Sequence, residues 1–329
     1  VCEAVDGYGA VTDVHVHIVP SWYLDHLRAR RGDPAAASAL PWLEPFAGYD
    51  VDALVREMDA AGIDVGWVSL PPPGAVNDAS EGAVVPGCGS ATELNRRLFE
   101  AASEYPDRLR AVPLLPMSGG QPSEAAAADA VAAGACAMIA HLTAHGPALD
   151  DPLFRPALRV LADHGVTLHI HPGIEPISPL FDGWGLNAAL SAPVISTVAA
   201  ARLIVSGTLD ELPHLRLIVA HLGGTLPFLL QRLAEQARSE AAHDVSTYLH
   251  RQFHVDSAAF DPDALHCTAA VLGLDRILLG SDAPFRGGVI RGIQSVRAAL
   301  SASDASRVLS RNLTALTCAD RPADGPRPE

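Results

Sequence analysis

The stretch Val11-Thr12-Asp13-Val14-His15-Val16-His17-Ile18-Val19-Pro20 reads as a buried strand, and the residues at its end decide the fold. An open doubly wound sheet places a Gly-rich phosphate turn after its first strand. Here that place holds His17-Ile18-Val19-Pro20, which points instead to a closed barrel. Alternation with a period of two puts Asp13, His15 and His17 on one face and Val14, Val16 and Ile18 on the other. The two histidines lie about 6–7 Å apart along a strand, and their rings can lean onto one ion about 2 Å from each nitrogen. A polar patch in the core is the alternative reading of this pair taken alone.

Outward from this strand, short apolar runs alternate with longer helical patterns. Strands are expected at Val11–His17, Val65–Leu70, Leu109–Leu114, Ala135–His141, Thr167–His171, Arg216–His221, Phe253–Asp256 and Arg276–Gly280. Helical patterns fall at Val51–Ala61, Ala91–Tyr105, Ser123–Ala133, Leu153–His164, Val194–Leu209, Leu226–Arg238, Pro262–Leu272 and Val289–Ala299. Ala61-Gly62, His164-Gly165 and Leu272-Gly273 read as helix ends before a strand. Eight such units with Val/Ile/Leu-rich strands predict an α/β fold, a single-domain (β/α)8 TIM barrel over residues 1–319. The Pro- and charge-rich end, 320–329, is expected to be disordered. Three long connections, Pro20–Gly48, Pro71–Ser90 and Pro172–Ala192, follow strand C-termini and should cap the barrel mouth.

Composition excludes several classes. The 329 residues are 49% hydrophobic, enough for a large core. A net charge of −15 argues against nucleic acid or an anionic membrane as partner. No apolar run is read as long enough to span a bilayer, and Val1 to Gly9 shows no signal peptide. The five cysteines (Cys2, Cys88, Cys136, Cys267, Cys318) are scattered, which fits a reducing cytoplasm. All 23 basic residues are arginine. A Schiff-base lysine, a P-loop lysine and a binuclear site bridged by a carbamylated lysine are therefore excluded for this chain.

In a barrel the chemistry gathers at the C-terminal ends of the strands. The first strand ends in His15-Val16-His17, the fifth in His171, the sixth in His221, and the eighth delivers Asp282. Four strands placing His or Asp at one rim predict a metal site.

These blocks carry a resemblance. Asp13-x-His15-x-His17, His171-Pro172, Ala220-His221-Leu222-Gly223-Gly224 and Gly280-Ser281-Asp282-Ala283-Pro284-Phe285 resemble the amidohydrolase superfamily. Within it they are similar to the branch of metal-dependent decarboxylases related to aminocarboxymuconate-semialdehyde decarboxylase. Arg56 to Asp64, Glu104 to Leu109 and Pro113 to Pro116 look like the same branch, so the likeness runs from about Thr12 to Ala315. It implies that His15, His17, His171 and Asp282 hold one divalent metal, with His221 beside it as catalytic base or acid. Three histidines and a carboxylate suit Zn²⁺ best, and Mn²⁺ also fits a mixed N/O site. Relatives suggest a homodimer.

One departure bears on substrate. The semialdehyde decarboxylase carries carboxylate-gripping arginines just upstream of its Arg-Glu-Met-Asp block. Leu40 to Gly48 here has no arginine and one acid. A less polar or aromatic substrate suits Trp42, Phe46 and Trp184 better. Non-oxidative decarboxylation of a small unsaturated or aromatic carboxylic acid is the expected reaction, with His221, joined by Asp282, managing the proton. Hydrolysis of a lactone or amide on the same site is the alternative, because such an ion lowers the pKa of bound water to about 7. A non-catalytic barrel with a decayed site is the third reading, which the intact ligand set opposes.

Other residues carry two readings each. Asp13 is a fifth ligand or, preferred, a carboxylate that orients a ligand imidazole. His169 reads as a satisfied core histidine. His141 and His145 touch substrate or line a solvated loop. His254 and Asp256 reach the pocket floor or hydrogen-bond within the barrel. Gly223-Gly224 gives close backbone approach to substrate or a tight turn. Glu175 is a rim acid, and Cys88 is read as inert.

Overall fold

The computed structural model describes residues 9–73, 91–142, 146–175, 177–238 and 240–318. Eight parallel strands form the frame: β1 (Thr12–His17), β2 (Val65–Ser69), β3 (Leu109–Ala111), β4 (Ala137–Leu142), β5 (Thr167–Pro172), β6 (Leu217–Val219), β7 (Phe253–Asp256) and β8 (Ile277–Leu278). They pair in the order β1-β2-β3 and β4-β5-β6-β7-β8. Two seams join these sheets into a cylinder. Leu115 N–H donates to Ile139 O and Ile139 N–H to Pro113 O, at 2.8 and 2.9 Å. Across the other seam Val14 N–H donates to Leu279 O and His17 N–H to Ala283 O, at 2.9 and 2.7 Å. The sheet is thus a (β/α)8 barrel, as the strand–helix alternation predicts.

The strands are buried on both faces, which is why they read as apolar runs. Val14, Val16 and Ile18 face the helices and are at most 1% exposed, yet His15 and His17 on the other face are equally enclosed. The outer helices follow from ordinary signals. Asp50 caps Val51–Ala61 by accepting from Ala53 N–H, and Asp261 caps Pro262–Leu272 by accepting from Ala264 N–H. Gly62 and Gly165 end their helices in left-handed conformations.

Four expectations need correction. The connection Pro20–Gly48 is helical, with helices at Ser21–Ala29 and Pro34–Leu43. Leu24, Leu27, Leu40 and Leu43, spaced three apart in each helix, bury that segment against the barrel. The expected strands Arg216–His221 and Arg276–Gly280 are shorter, at Leu217–Val219 and Ile277–Leu278, because the chain leaves the ladder ahead of His221 and Gly280. Helices also fill Ala302–Ser306 and Asn312–Cys318, and Asn312 Nδ2 donates to Leu274 O and Ile277 O at the foot of β8. Finally, a π-turn at Asn187–Ser191 continues into the helix Ala192–Val205, giving 19 helical residues that are long and apolar enough to cross a membrane. That helix packs on β5, and Ala200, Leu203 and Ile204 are fully buried in the fold. Most of Pro71–Ser90, His145, Cys2, Cys88 and the 320–329 end lie outside the described residues.

Candidate metal centre

Four strands bring one cluster together. His15 and His17 stand at the end of β1, and His171 at the end of β5. His221 and Asp282 come from turns just past β6 and β8, where their backbones adopt φ of 59° and 53°. Non-glycine residues rarely take this left-handed conformation, and it is found where surroundings hold a side chain in a required direction. Both turns are pinned: His221 N–H donates to Asp256 Oδ1 at 2.9 Å, and Asp282 N–H donates to His15 O at 2.8 Å. Gly280 makes room for the second, since a Cβ there would sit 2.6 Å from Asp256 Cβ and 3.0 Å from His15 Cβ.

The hydrogen-bond partners assign the imidazole tautomers. His15 Nδ1 lies 2.9 Å from Asp256 Oδ2, so that nitrogen carries the proton and donates. Ser69 Oγ donates to Val16 O at 3.3 Å and therefore accepts from His17 Nδ1–H at 2.8 Å. His171 Nδ1–H donates to Pro172 O at 2.7 Å. Each ring is left with an Nε2 lone pair turned inward. His15 Nε2 and His17 Nε2 are 3.1 Å apart, and each is 3.4 Å from Asp282 Oδ1. His221 Nε2 is 3.5 Å from Asp282 Oδ2, and His171 Nε2 is buried with no hydrogen-bond partner among the described residues.

Converging lone pairs and a carboxylate repel unless a positive charge sits among them. Ligand atoms of His15, His171, His221 and Asp282 all lie within 4.8 Å of one another, with His17 joined through His15 and Asp282. Nitrogens held about 2.0–2.1 Å from one ion at tetrahedral or square angles stand roughly 2.9–3.4 Å apart. The observed spacing fits, so the cluster suits one small cation.

Electrostatics point the same way. Burial depresses His15, but Asp256 and then Asp282 outweigh it and raise its pKa to about 10. Burial raises Asp282 and Asp256, but the surrounding histidines hold both well below the carboxylate range. The two carboxylates thus favour positive charge at the centre of the cluster, where a metal cation would bind with the His15 ring neutral. His17 and His171 are pushed down by burial first, and neighbouring histidines add to that. Both stay neutral, as ligands must.

All five predicted site residues therefore meet. The orienting carboxylate differs from the expectation: Asp256, not Asp13, holds the ligand ring. Asp256 Oδ2 also meets His169 Nε2 at 3.3 Å, and its Oδ1 takes the amides of His221 and Ala258. Asp13 Oδ1 instead accepts from the backbone N–H of His15 and of Ser281, both at 3.1 Å, and burial pushes its carboxyl up to about 7. His169 is the satisfied core histidine expected of it. Gly224 serves a tight turn, since a Cβ there would lie 2.2 Å from Pro193 O. His254, buried earlier on β7 with Arg276 nearby, has its pKa lowered to about 3 by burial first.

Phe285 is a site element that the sequence reading missed. Its ring centroid is 5.9 Å from that of His17, 4.2 Å from stacked Trp42 and 5.0 Å from Phe46. Together they make an aromatic wall beside the cluster. Trp184, expected to join it, is 96% exposed.

Residues 12–312 match the family model described as amidohydrolase. Gamma-resorcylate decarboxylase of Rhizobium sp. (strain MTP-10005) is 27% identical over 259 residues, covering 71% of this chain and 76% of that protein. The 2-amino-3-carboxymuconate-6-semialdehyde decarboxylase of Dictyostelium discoideum is 25% identical over 244 residues, covering 72% and 67%. The crystal structure of a dihydroxybenzoic acid decarboxylase from Polaromonas sp. JS666, with bound manganese and the inhibitor 2-nitroresorcinol, superposes with a TM-score of 0.79 at 21% identity, covering 94% of this chain and 97% of that one.

Proposed function

This chain belongs to the amidohydrolase family, and from that membership we propose that it is a metal-dependent, non-oxidative decarboxylase of small aromatic carboxylic acids. The observation that carries this reading is the convergence of the inward Nε2 lone pairs of His15, His17 and His171 on the Asp282 carboxylate, beside an aromatic wall. These four residues would hold one divalent ion. The chemistry such an ion supplies when bound is Lewis acidity toward substrate oxygens, which stabilises negative charge developing as the C–C bond breaks. The names of the two relatives support an aromatic or unsaturated acid as substrate.

The chain's own residues supply the remaining chemistry. Trp42, Phe46 and Phe285 offer ring faces against which an aromatic substrate stacks. The side chains of His15 and His17 are fully enclosed, whereas His221 and Asp282 are 15% and 12% exposed. The first pair is placed to hold the ion and the second to meet substrate. As CO₂ leaves, the electron pair of the broken C–C bond stays on the ring carbon. The proton that replaces the carboxyl group comes from the His221–Asp282 pair, whose Nε2 and Oδ2 stand 3.5 Å apart. Asp256 fixes His221 through its amide, and His15 O fixes Asp282 through its own.

Three imidazoles and one carboxylate suit Zn²⁺, and the manganese of the Polaromonas enzyme makes Mn²⁺ the other ion to load. We assign the protein to the cytoplasm, supported by the Cys267 thiol, which stands outside any disulfide. We assign it a homodimer, supported by large exposed apolar side chains such as Leu180 and Phe228; sedimentation measures that mass. The decisive experiment is metal content beside CO₂ release from a panel of hydroxybenzoates, for the native chain and a His15→Ala/His17→Ala double variant. About one ion per chain and CO₂ release, both lost in the variant, are expected. Cleavage of an amide or lactone without CO₂ would replace decarboxylation by hydrolysis.

A further inference from the structure

We propose that His141 is a specificity-determining residue of this site: a hydrogen-bonding reader of an oxygen substituent next to the substrate's carboxylate. The inference rests on the aromatic-acid reading of the site. It starts from register. His141 pairs with His171 across β4 and β5, as Ile139 pairs with His169. Cross-strand partners in a parallel sheet share a face. His169 and His171 both point into the barrel, so His141 does too, level with the metal-binding histidine.

The His141 ring lies 5.3 Å from that of His171, centroid to centroid, at 70°. The residue is 5% exposed, and neither ring nitrogen has a hydrogen-bond partner among the described residues. Leaving both nitrogens of a buried imidazole unpaired is costly, and native structures seldom do it without a ligand to satisfy them. His171 cannot serve, because its Nδ1–H is committed to Pro172 O and its Nε2 faces the cluster. A neutral imidazole at this place offers one N–H to donate and one lone pair to accept.

A neutral donor and acceptor on the barrel rim matches a phenolic hydroxyl or its oxyanion, not a second carboxylate, which an arginine would take. His141 is outside the compact ligand set of His15, His171, His221 and Asp282, so its role is separate from holding the ion. A phenolic oxygen ortho to the carboxylate is the group it would select. Sites built to hydrogen-bond a hydroxyl reject analogues that lack it, often by large factors, because their own buried polar groups are then left unpaired.

The test uses metal-loaded native protein, His141→Leu and His141→Asn, with two probes in calorimetric titration: 2-nitroresorcinol and nitrobenzene, which lacks the hydroxyls. Metal per chain and thermal melting are measured alongside. The native protein should prefer 2-nitroresorcinol by roughly 100-fold or more. His141→Leu should keep its ion and lose most of that preference while binding nitrobenzene as before; His141→Asn, which retains a donor and an acceptor, should recover part of it. A preference unchanged within about threefold in His141→Leu overturns the proposal. So does loss of the ion or of folding in both variants, and so does a native protein without any preference. CO₂ release by the native protein reports separately on the decarboxylase reading. A His141-dependent preference without CO₂ release would leave this inference standing and remove that one.

Discussion

The seam between β1 and the turn after β8 and the end of β7 each bury a carboxylate against His15, and the two carboxylates serve opposite ends of that residue. Asp13, at the seam, takes the His15 backbone amide and the Ser281 amide. Asp256, at the end of β7, takes the His15 ring, the His169 ring and the amides of His221 and Ala258. Both are fully buried. One closes the barrel, and the other aims the site. The difference shows that burial and proximity to a ligand do not assign a carboxylate its role; the atom it grips does.

Substitutions can break or sharpen that contrast. Asp256→Ala should have the largest effect. It leaves the buried His15 Nδ1–H without its carboxylate and two amides without acceptors, a loss of about 3–5 kcal/mol on chemical unfolding. The ion should also be lost from whatever folds. Asp13→Ala should cost about 2–4 kcal/mol, from two unpaired buried N–H groups, yet keep about one ion per chain. Equal metal loss in both variants would erase the distinction. Asp256→Asn preserves shape and some hydrogen bonding but not the charge, and should weaken metal affinity about 10–100-fold in a chelator competition. Asp13→Asn, which resembles the protonated form that burial already favours, should hold metal like the native chain.

Much of this was legible in the sequence. A strand's period of two sufficed to put His15 and His17 together, and strand ends sufficed to nominate His171, His221 and Asp282. The parts that stayed hidden depend on contacts remote in sequence. Asp256 grips a ring 241 residues away, and Phe253-His254-Val255-Asp256 announces only that a carboxylate ends a strand. The rule that found the other strand ends nominates Asp256 as well, but partner and role come from the fold. Asp13 departs from its expected role because the β1–β2 register slips between Asp13 and Val16. That slip leaves the His15 amide to the Asp13 side chain, a local bond that short carboxylates form readily. The left-handed turns at His221 and Asp282 are likewise set by Asp256 and His15 rather than by local preference.

The two long rim segments extend the same lesson to aromatic residues, with smaller effects. Trp42 and Trp184 both sit in connections that cap the barrel, and composition treats them alike. Trp42 ends a helix whose Leu40 and Leu43 are buried, which delivers its ring to Phe285 at 4.2 Å. Trp184 follows Phe181-Asp182-Gly183, outside any helix, and stands in solvent. Trp42→Ala should raise KM for an aromatic acid several-fold, about 1 kcal/mol for a lost ring–ring contact, with kcat changed less. Trp184→Ala should leave kcat, KM and thermal stability within about 0.5 kcal/mol of native, as for other surface changes. A KM effect at Trp184 equal to that at Trp42 would mean that the 172–192 segment closes over substrate. The aromatic wall would then have two sides rather than one.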